Sequence, residues 1–297
     1  MTKLLEKRTN DHIIRRLNKD IVVLYHINCT DGFSAAWVAW KKFGNNAEYI
    51  GIGLDDSPLR GLINKEIYSL DFVYKAKYLP ELISRNKKLI VIDHHITNTE
   101  TAKMTQDYLF DINHSAAVLT WKYFYPHKKT PQLLKHVEDG DLWKFRIFSS
   151  KEILSFMDLF DFNFKTWDKL AKDFENQARY KEYIKQGTLI LKYEDKLIER
   201  LVAGFAEPVN FIGFKTYAVN SPNFHSQIGN LLAKKYPPIG IVWREEKNGS
   251  VHVSLRSDGT VDVSKIAAQF GGGGHKAASG FYVESRSKLP WKKINEK

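Results

Sequence analysis

Leu89-Ile90-Val91-Ile92-Asp93-His94-His95 is an apolar run closed by three consecutive side chains able to bind a metal ion. A strand that ends this way presents a carboxylate and two imidazoles at the carboxyl edge of a sheet, where open α/β folds place their ligands. Two other apolar runs end alike. Ile21-Val22-Val23-Leu24-Tyr25 leads into His26-Ile27-Asn28-Cys29-Thr30-Asp31-Gly32, and Ile67-Tyr68-Ser69-Leu70 leads into Asp71. A core strand needs no ionisable group at its mouth, so the three ends are read together as one metal site.

Working outward, Gly32 to Phe43 carries apolar residues at helical spacing and stops at Gly44. A short strand at Glu48 to Ile52, a loop around Asp55-Asp56-Ser57-Pro58, the strand ending at Asp71 and a helix from Tyr78 to Arg85 follow. This alternation predicts an α/β fold, a parallel sheet with flanking helices. Ser115 is placed to cap a helix from Ala116 to Tyr125, and a helical segment from Gln132 carries Glu138-Asp139-Gly140-Asp141-Leu142-Trp143. From Trp167 to Leu201 the pattern is charged and helical, a connecting helix rather than a core. Beyond Gly204 come β-rich runs (Pro208 to Ile212, Phe214 to Val219, Ile239 to Trp243, Val251 to Leu255), a helix from Ser226 to Lys235 and the glycine-rich Gly271 to Gly280. The expected organisation is a metal-binding domain over 1–165, a helical linker over 166–204 and a smaller α/β domain over 205–297.

A chain of 297 residues with 43% hydrophobic content can bury two ordinary cores. The formal charge of +11 favours a polyanionic partner, phosphate-bearing substrates first. Cys29 is the single cysteine, which excludes an internal disulfide and fits a reducing compartment. No apolar stretch reaches the length of a membrane span, and Met1 to Lys7 lacks the apolar core of a signal peptide. Glu6, Asp11 and Asp20 argue against a transit peptide. The expected location is cytoplasmic.

Carboxylates and imidazoles without a thiolate cluster suit Mn²⁺, Fe²⁺, Zn²⁺ or Mg²⁺ with positions open to water and substrate. Two such ions about 3.5–4 Å apart can orient a phosphate and take up charge on attacking and leaving oxygens. A carboxylate bridging both must sit centrally, and Asp71 is the candidate. The run Gly271 to Gly274 costs backbone entropy, so it belongs where the chain comes very close to something or needs positive φ. With His275 and Lys276 after it and Arg256 before it, it reads as an anion cradle.

Asp93-His94-His95, the strand ending at Asp71, Asp31-Gly32, Asp139, and Val253-Ser254-Leu255-Arg256 followed by the GGGGH segment and Ala278-Ser279-Gly280 together resemble the DHH phosphoesterases with their DHH-associated C-terminal domain. The resemblance covers residues 21 to 284. It implies a metal centre of His26, Asp31, Asp71, His94 and Asp139, most simply two Mn²⁺ ions, with Asp93 and His95 catalytic and His95 facing the scissile phosphate. It also implies that Arg256, Gly272, Gly273, Gly274 and His275 bind the rest of the substrate, with the active site in the cleft between the domains. The family's first motif usually carries two aspartates one residue apart, whereas here the earlier position is Cys29 or, with a one-residue shift, Asn28. The second ion would then rest on His26, Asp71 and one of these, a weaker site. Asp139 and Asp141 compete for the fourth motif; the family's order favours Asp139, leaving Asp141 to support or cap. His114, His127, His136, His225 and His252 are read as structural or surface residues.

The leading expectation is a metal-dependent phosphodiesterase acting on short RNA or DNA oligonucleotides or related small nucleotides. No aromatic-studded basic stripe stands out for a processive exonuclease, which favours short substrates. Within the same chemistry the alternatives are a 3′-phosphoadenosine phosphate phosphatase and a cyclic dinucleotide phosphodiesterase. From another class comes a non-catalytic nucleotide-binding module with a degenerate first motif. A membrane partner is not expected, and a homodimer is compatible with the sequence.

Overall fold

A computed structural model describes residues 17–53 and 56–294. The amino-terminal stretch weighed as a targeting signal, apart from Asp20, and Asp55 of the predicted loop lie outside them. The chain divides into two compact units, Met1–Ile190 and Leu191–Lys297.

In the first unit β1 (Ile21–His26) leads through α1 (Thr30–Phe43) to β2 (Ala47–Ile52), then β3 (Glu66–Leu70), α2 (Leu79–Arg85), β4 (Lys88–Asp93), α3 (Thr99–Ala102) and β5 (Asp107–Phe110). The five strands form one sheet in the order β2-β1-β3-β4-β5, and every pair is parallel. Strand side chains alternate between faces. Val23, Tyr68, Leu70, Ile90 and Ile92 therefore enter one core, while Val22, Leu24, Ile67 and Leu89 enter another. The first core is closed by α1, α4 (Ala116–Phe124), α5 (Gln132–Asp141), α6 (Ser150–Met157) and α7 (Phe164–Phe174). α1 ends where predicted, with Gly44 at φ 54 and its N–H on the Trp40 carbonyl. Ser115 caps α4, its Oγ accepting from the Val118 N–H.

The stretch from Trp167 onward differs from expectation, because its first turns are core. Trp167 is 1% exposed and donates from Nε1 to Ser34 Oγ on α1. Leu170 and Phe174 follow at helical spacing on the same buried face, a stripe masked in the sequence by the lysines and aspartates between them. The connecting element itself is α8 (Gln177–Phe205), a 29-residue helix.

In the second unit β6 (Glu207–Phe211), β7 (Phe214–Asn220), α9 (His225–Lys235), β8 (Ile239–Glu245), β9 (Val251–Ser257), α10 (Val263–Gln269), β10 (Gly273–His275), β11 (Ala278–Val283) and β12 (Trp291–Lys293) form a second α/β layer. The seven-stranded sheet runs β10-β11-β9-β8-β7-β6-β12. Val251, Val253 and Leu255 face one core, packed with Phe281 and Ile266. The other face packs Val219 and Val242 against Ile228 and Leu232 of α9.

The glycine run is part of this sheet rather than a free loop. Gly273 to His275 pair antiparallel with Ala278 to Gly280. A Cβ at Gly272 would lie 2.1 Å from the Gly280 carbonyl oxygen, and one at Gly274, where φ is +135, would lie 2.6 Å from that of Ala278. Close approach to β11 and positive φ are what demand glycine there.

Candidate metal centre

The strand order reverses direction between β1 and β3, because the chain leaves β1 for β2 on one side and returns to β3 on the other. The crevice outside the carboxyl ends of strands at such a switch point is where open α/β sheets bind ligands. His26 is the last residue of β1, Asp71 follows β3, and Asp93 closes β4 with His94 next after it. One loop after each of three neighbouring strands thus delivers the candidate side chains to one place.

Asp71 sits at the middle. It is 1% exposed, and neither carboxylate oxygen receives a hydrogen bond. His26 Nδ1 lies 3.4 Å from its Oδ2, and His94 Nε2 lies 3.4 Å from its Oδ1. The Asp71 backbone is left-handed at φ 63, an uncommon state for a residue other than glycine that concentrates at functional sites. Burial pushes the Asp71 carboxyl up, but the imidazoles of His26, His94 and His95 outweigh it and hold the group well below the usual carboxylate range.

His94 is fully buried, and three carboxylates converge on its Nε2: Asp71 Oδ1 and Asp141 Oδ2 at 3.4 Å, Asp31 Oδ2 at 3.7 Å. One ring nitrogen carries at most one proton, so this is more negative charge than the imidazole can answer. Burial opposes a charged ring, yet the carboxylates raise the His94 pKa to about 10. Burial and Asp71 push Asp141 up to about 6 despite the relief from His94. Within the first unit, two groups of donor atoms lie close enough together to share a cation: His26, Cys29 and Asp71, and Asp31, His94 and Asp141. A third comprises Asp71, Asp93, His94 and His95. The buried, unbonded Asp71 oxygens and His26 Nδ1 fit a divalent cation, which supplies what the protein leaves out.

The predicted residues are not all placed alike. Asp31 is in the cluster and also accepts from the first N–H groups of α4, at 2.7 Å from Ala116 and 3.0 Å from Ala117. Asp93 uses Oδ1 on the N–H groups of His94 and His95 and on His95 Nδ1, at 2.8 Å, and Oδ2 on Asn98 Nδ2. It folds the tripeptide and orients His95, whose pKa rises to about 9 because Asp93 and Asp71 overcome the effect of burial. Cys29 lies within the His26 and Asp71 group, and burial beside carboxylates pushes its thiol well above its ordinary value. Asn28 is exposed, with φ 56.

Asp139 departs most from expectation. Its carboxylate accepts from the N–H groups of Arg146 at 2.9 Å and Ile147 at 3.0 Å, and its carbonyl from those of Lys144 and Phe145. It belongs to none of the donor groups, and Asp141 occupies the place beside His94. Gly32 makes room for the site. A Cβ there would lie 2.5 Å from the His26 carbonyl oxygen and 3.1 Å from Asp71 Oδ2.

In the second unit Arg256 is half-buried, and desolvation of its guanidinium lowers its pKa to about 10. Its Nη2 donates to Ser226 Oγ at 2.6 Å, and Gly229 lies where a Cβ would strike its Cγ at 2.7 Å.

Residues 216–295 match the DHHA1 domain family. The chain is 31% identical over 306 residues to the uncharacterized protein R106 of Acanthamoeba polyphaga mimivirus, covering 94% of this chain and 72% of that one. It is 25% identical over 292 residues to oligoribonuclease NrnB of Bacillus subtilis strain 168, covering 86% of this chain and 71% of that one. The chain belongs to the DHH phosphoesterases with a DHH-associated domain. Among solved structures, the pGpG-specific phosphodiesterase PggH from Vibrio cholerae aligns over 89% of this DHH protein and 93% of that chain, with 14% identity and a TM-score of 0.49. No described helix of this DHH phosphoesterase is long and apolar enough to cross a membrane.

Proposed function

We propose that this protein is a metal-dependent phosphodiesterase that hydrolyses short oligonucleotides or related small nucleotides. The observation that carries the reading is Asp71, a buried carboxylate without a hydrogen-bond donor at the switch point, flanked by two groups of imidazole, carboxylate and thiol donors. Asp71 would be shared, with His26 and Cys29 on one side and Asp31, His94 and Asp141 on the other. Asp141 replaces Asp139 in this assignment because its carboxylate faces His94 while that of Asp139 is engaged by a backbone loop. Two divalent ions held there, Mn²⁺ being the best match to the donor set, would activate a water and neutralise charge on the phosphate.

The chain's own groups do the remainder. Asp93 fixes His95 through Nδ1, which leaves Nε2 as the atom to donate to a phosphate oxygen. In the second unit, Arg256, His275 and the backbone N–H groups of Gly273 and Gly274 would bind a phosphate; β10 is an edge strand, so one side of its backbone is outside the ladder, whereas the Gly272 N–H is taken by the Ala267 carbonyl. The charge of +11 favours such an anion. The oligoribonuclease name of the Bacillus subtilis relative supports an oligonucleotide as substrate. The test is release of mononucleotides from a five-nucleotide RNA with Mn²⁺ and with EDTA. Hydrolysis with Mn²⁺ and none with EDTA is expected. Undiminished hydrolysis by protein shown to be metal-free would overturn the metal assignment, and no hydrolysis of any short phosphodiester with Mn²⁺ would overturn the activity.

A further inference from the structure

The segment that leaves the metal centre at Asp141 reads Leu142-Trp143-Lys144-Phe145-Arg146-Ile147-Phe148, aromatic and basic residues interleaved with no acid before Glu152. It is not a relaxed loop. Trp143, Phe145 and Ser149 have φ of 53, 46 and 57, three left-handed non-glycine residues within seven. Asp139 holds it in that form, its carboxylate on the N–H groups of Arg146 and Ile147 and its carbonyl on those of Lys144 and Phe145. What the strain produces is exposed aromatic surface, with Trp143 38% exposed and Phe148 84%. Trp143 is braced edge-to-face on Phe145, centroids 4.8 Å apart, and the Lys151 ammonium lies 5.0 Å from the Phe145 centroid. Lys144 Nζ ties the loop back to the Asn113 carbonyl.

Strained conformations persist where the surrounding structure over-determines them, and they cluster at ligand sites. A rigid aromatic face beside cationic side chains is how proteins bind single-stranded nucleic acid without reading its sequence. Consecutive Cα atoms are about 3.8 Å apart, so Trp143 cannot lie more than about 7.6 Å, Cα to Cα, from Asp141, whose carboxylate faces His94. We propose that Trp143, with Phe148 beyond it, is a stacking platform for a nucleobase next to the scissile phosphate, and that Arg146 meets the backbone phosphate alongside. Asp139 then acts as a positioning residue for this platform. This inference rests on the oligonucleotide reading of the metal centre and adds to it the means of holding the base.

The test uses the full chain with Mn²⁺ and two substrates, a five-nucleotide RNA and a chain of the same linkages built from abasic units. Trp143→Ala should lower kcat/KM on the RNA roughly five- to a hundredfold, mostly through KM, with Phe148→Ala losing less and Trp143→Phe restoring most of the loss. On the abasic chain all three variants should match the parent. Variants within twofold of the parent on RNA, or equal losses on both substrates, would overturn the proposal. A second arm needs no turnover. In EDTA, RNA should quench tryptophan emission of the parent but not that of Trp143→Phe, and the abasic chain should quench neither. If the parent hydrolyses nothing, the phosphodiesterase reading fails and this arm alone decides: quenching that depends on Trp143 upholds the platform, and none overturns it. Sedimentation covers the other use of exposed aromatics. Self-association lost in Trp143→Ala, with RNA cleavage and quenching unchanged, would make the loop a protein contact and overturn the proposal.

Discussion

Asp139 and Asp141 stand two residues apart at the end of α5, yet their carboxylates have separate work. Asp139 is 4% exposed and satisfies two backbone N–H groups, whereas Asp141 Oδ2 lies 3.4 Å from His94 Nε2. Asp139→Ala should therefore leave metal binding within a few-fold of the parent while lowering stability by about 1–3 kcal/mol, since two donors lose their acceptor. Asp141→Ala should do the reverse, weakening metal binding at least tenfold at little cost in stability. Calorimetric metal titration and urea midpoints separate the two, and metal loss confined to Asp139→Ala would contradict the assignment. Spacing could not settle this pair, because both stand in the last turn of α5, where which carboxylate meets the backbone N–H groups of the next loop depends on how that loop folds back. His26, Asp31, Asp71 and His94 were legible because each sits at a strand mouth or in the turn just after one. His136 offers a check away from the site. It is fully buried between Ser150 Oγ and the Tyr180 hydroxyl, and burial lowers its pKa to about 4. The unfolded chain takes up this proton near pH 6.5 and the folded chain only near 4, so stability is full above about 6.5 and falls as pH drops toward 4. Urea midpoints at pH 7.5 and 5 should differ less for His136→Gln than for the parent; equal differences would show that His136 takes no part.

At the level of elements, the apolar strands and their alternation with helices announced the parallel sheet, since a strand buried on both faces leaves an unbroken apolar run. β5 carries no such signal, because its Asp107-Tyr108-Leu109-Phe110 is an edge strand, only partly buried and lacking such a run. α7 reads as a connector in the sequence because only four of its eleven residues face the core and charge fills the gaps. The aromatic and basic loop after Asp141 has no signature in the sequence, because it is short and not helical and its exposure follows from backbone φ angles no pattern displays. Glycines separate close approach from mere flexibility. Gly32→Ala places a Cβ 2.5 Å from the His26 carbonyl oxygen and should cost several kcal/mol and perturb metal binding. Gly204, near the end of α8, has nothing within 4 Å of an added Cβ. Gly204→Ala should be neutral or stabilising by up to about 1 kcal/mol. Thermal midpoints decide, and a Gly32→Ala protein as stable as the parent would mean that α1 does not press on the site as described.

For the whole molecule, the change from strand-helix alternation to short β-rich runs was visible along the chain, and it corresponds to a second, mixed sheet. Where one unit ends was not, since α8 runs unbroken across the division between Ile190 and Leu191. The family's two ends were also legible unequally: the DHH tripeptide marks chemistry directly, while the glycine run marks first a strand crowded against β11. Both parts serve one claim, that the carboxyl edge of the first sheet holds divalent metal on Asp71. The most direct measurement is anomalous diffraction from crystals of the full chain grown with Mn²⁺. The account predicts anomalous peaks on either side of the Asp71 carboxylate, one toward His26 and Cys29 and one toward Asp31, His94 and Asp141, about 3.5–4 Å apart. Peaks at Asp139, or none within coordination distance of Asp71, would contradict it.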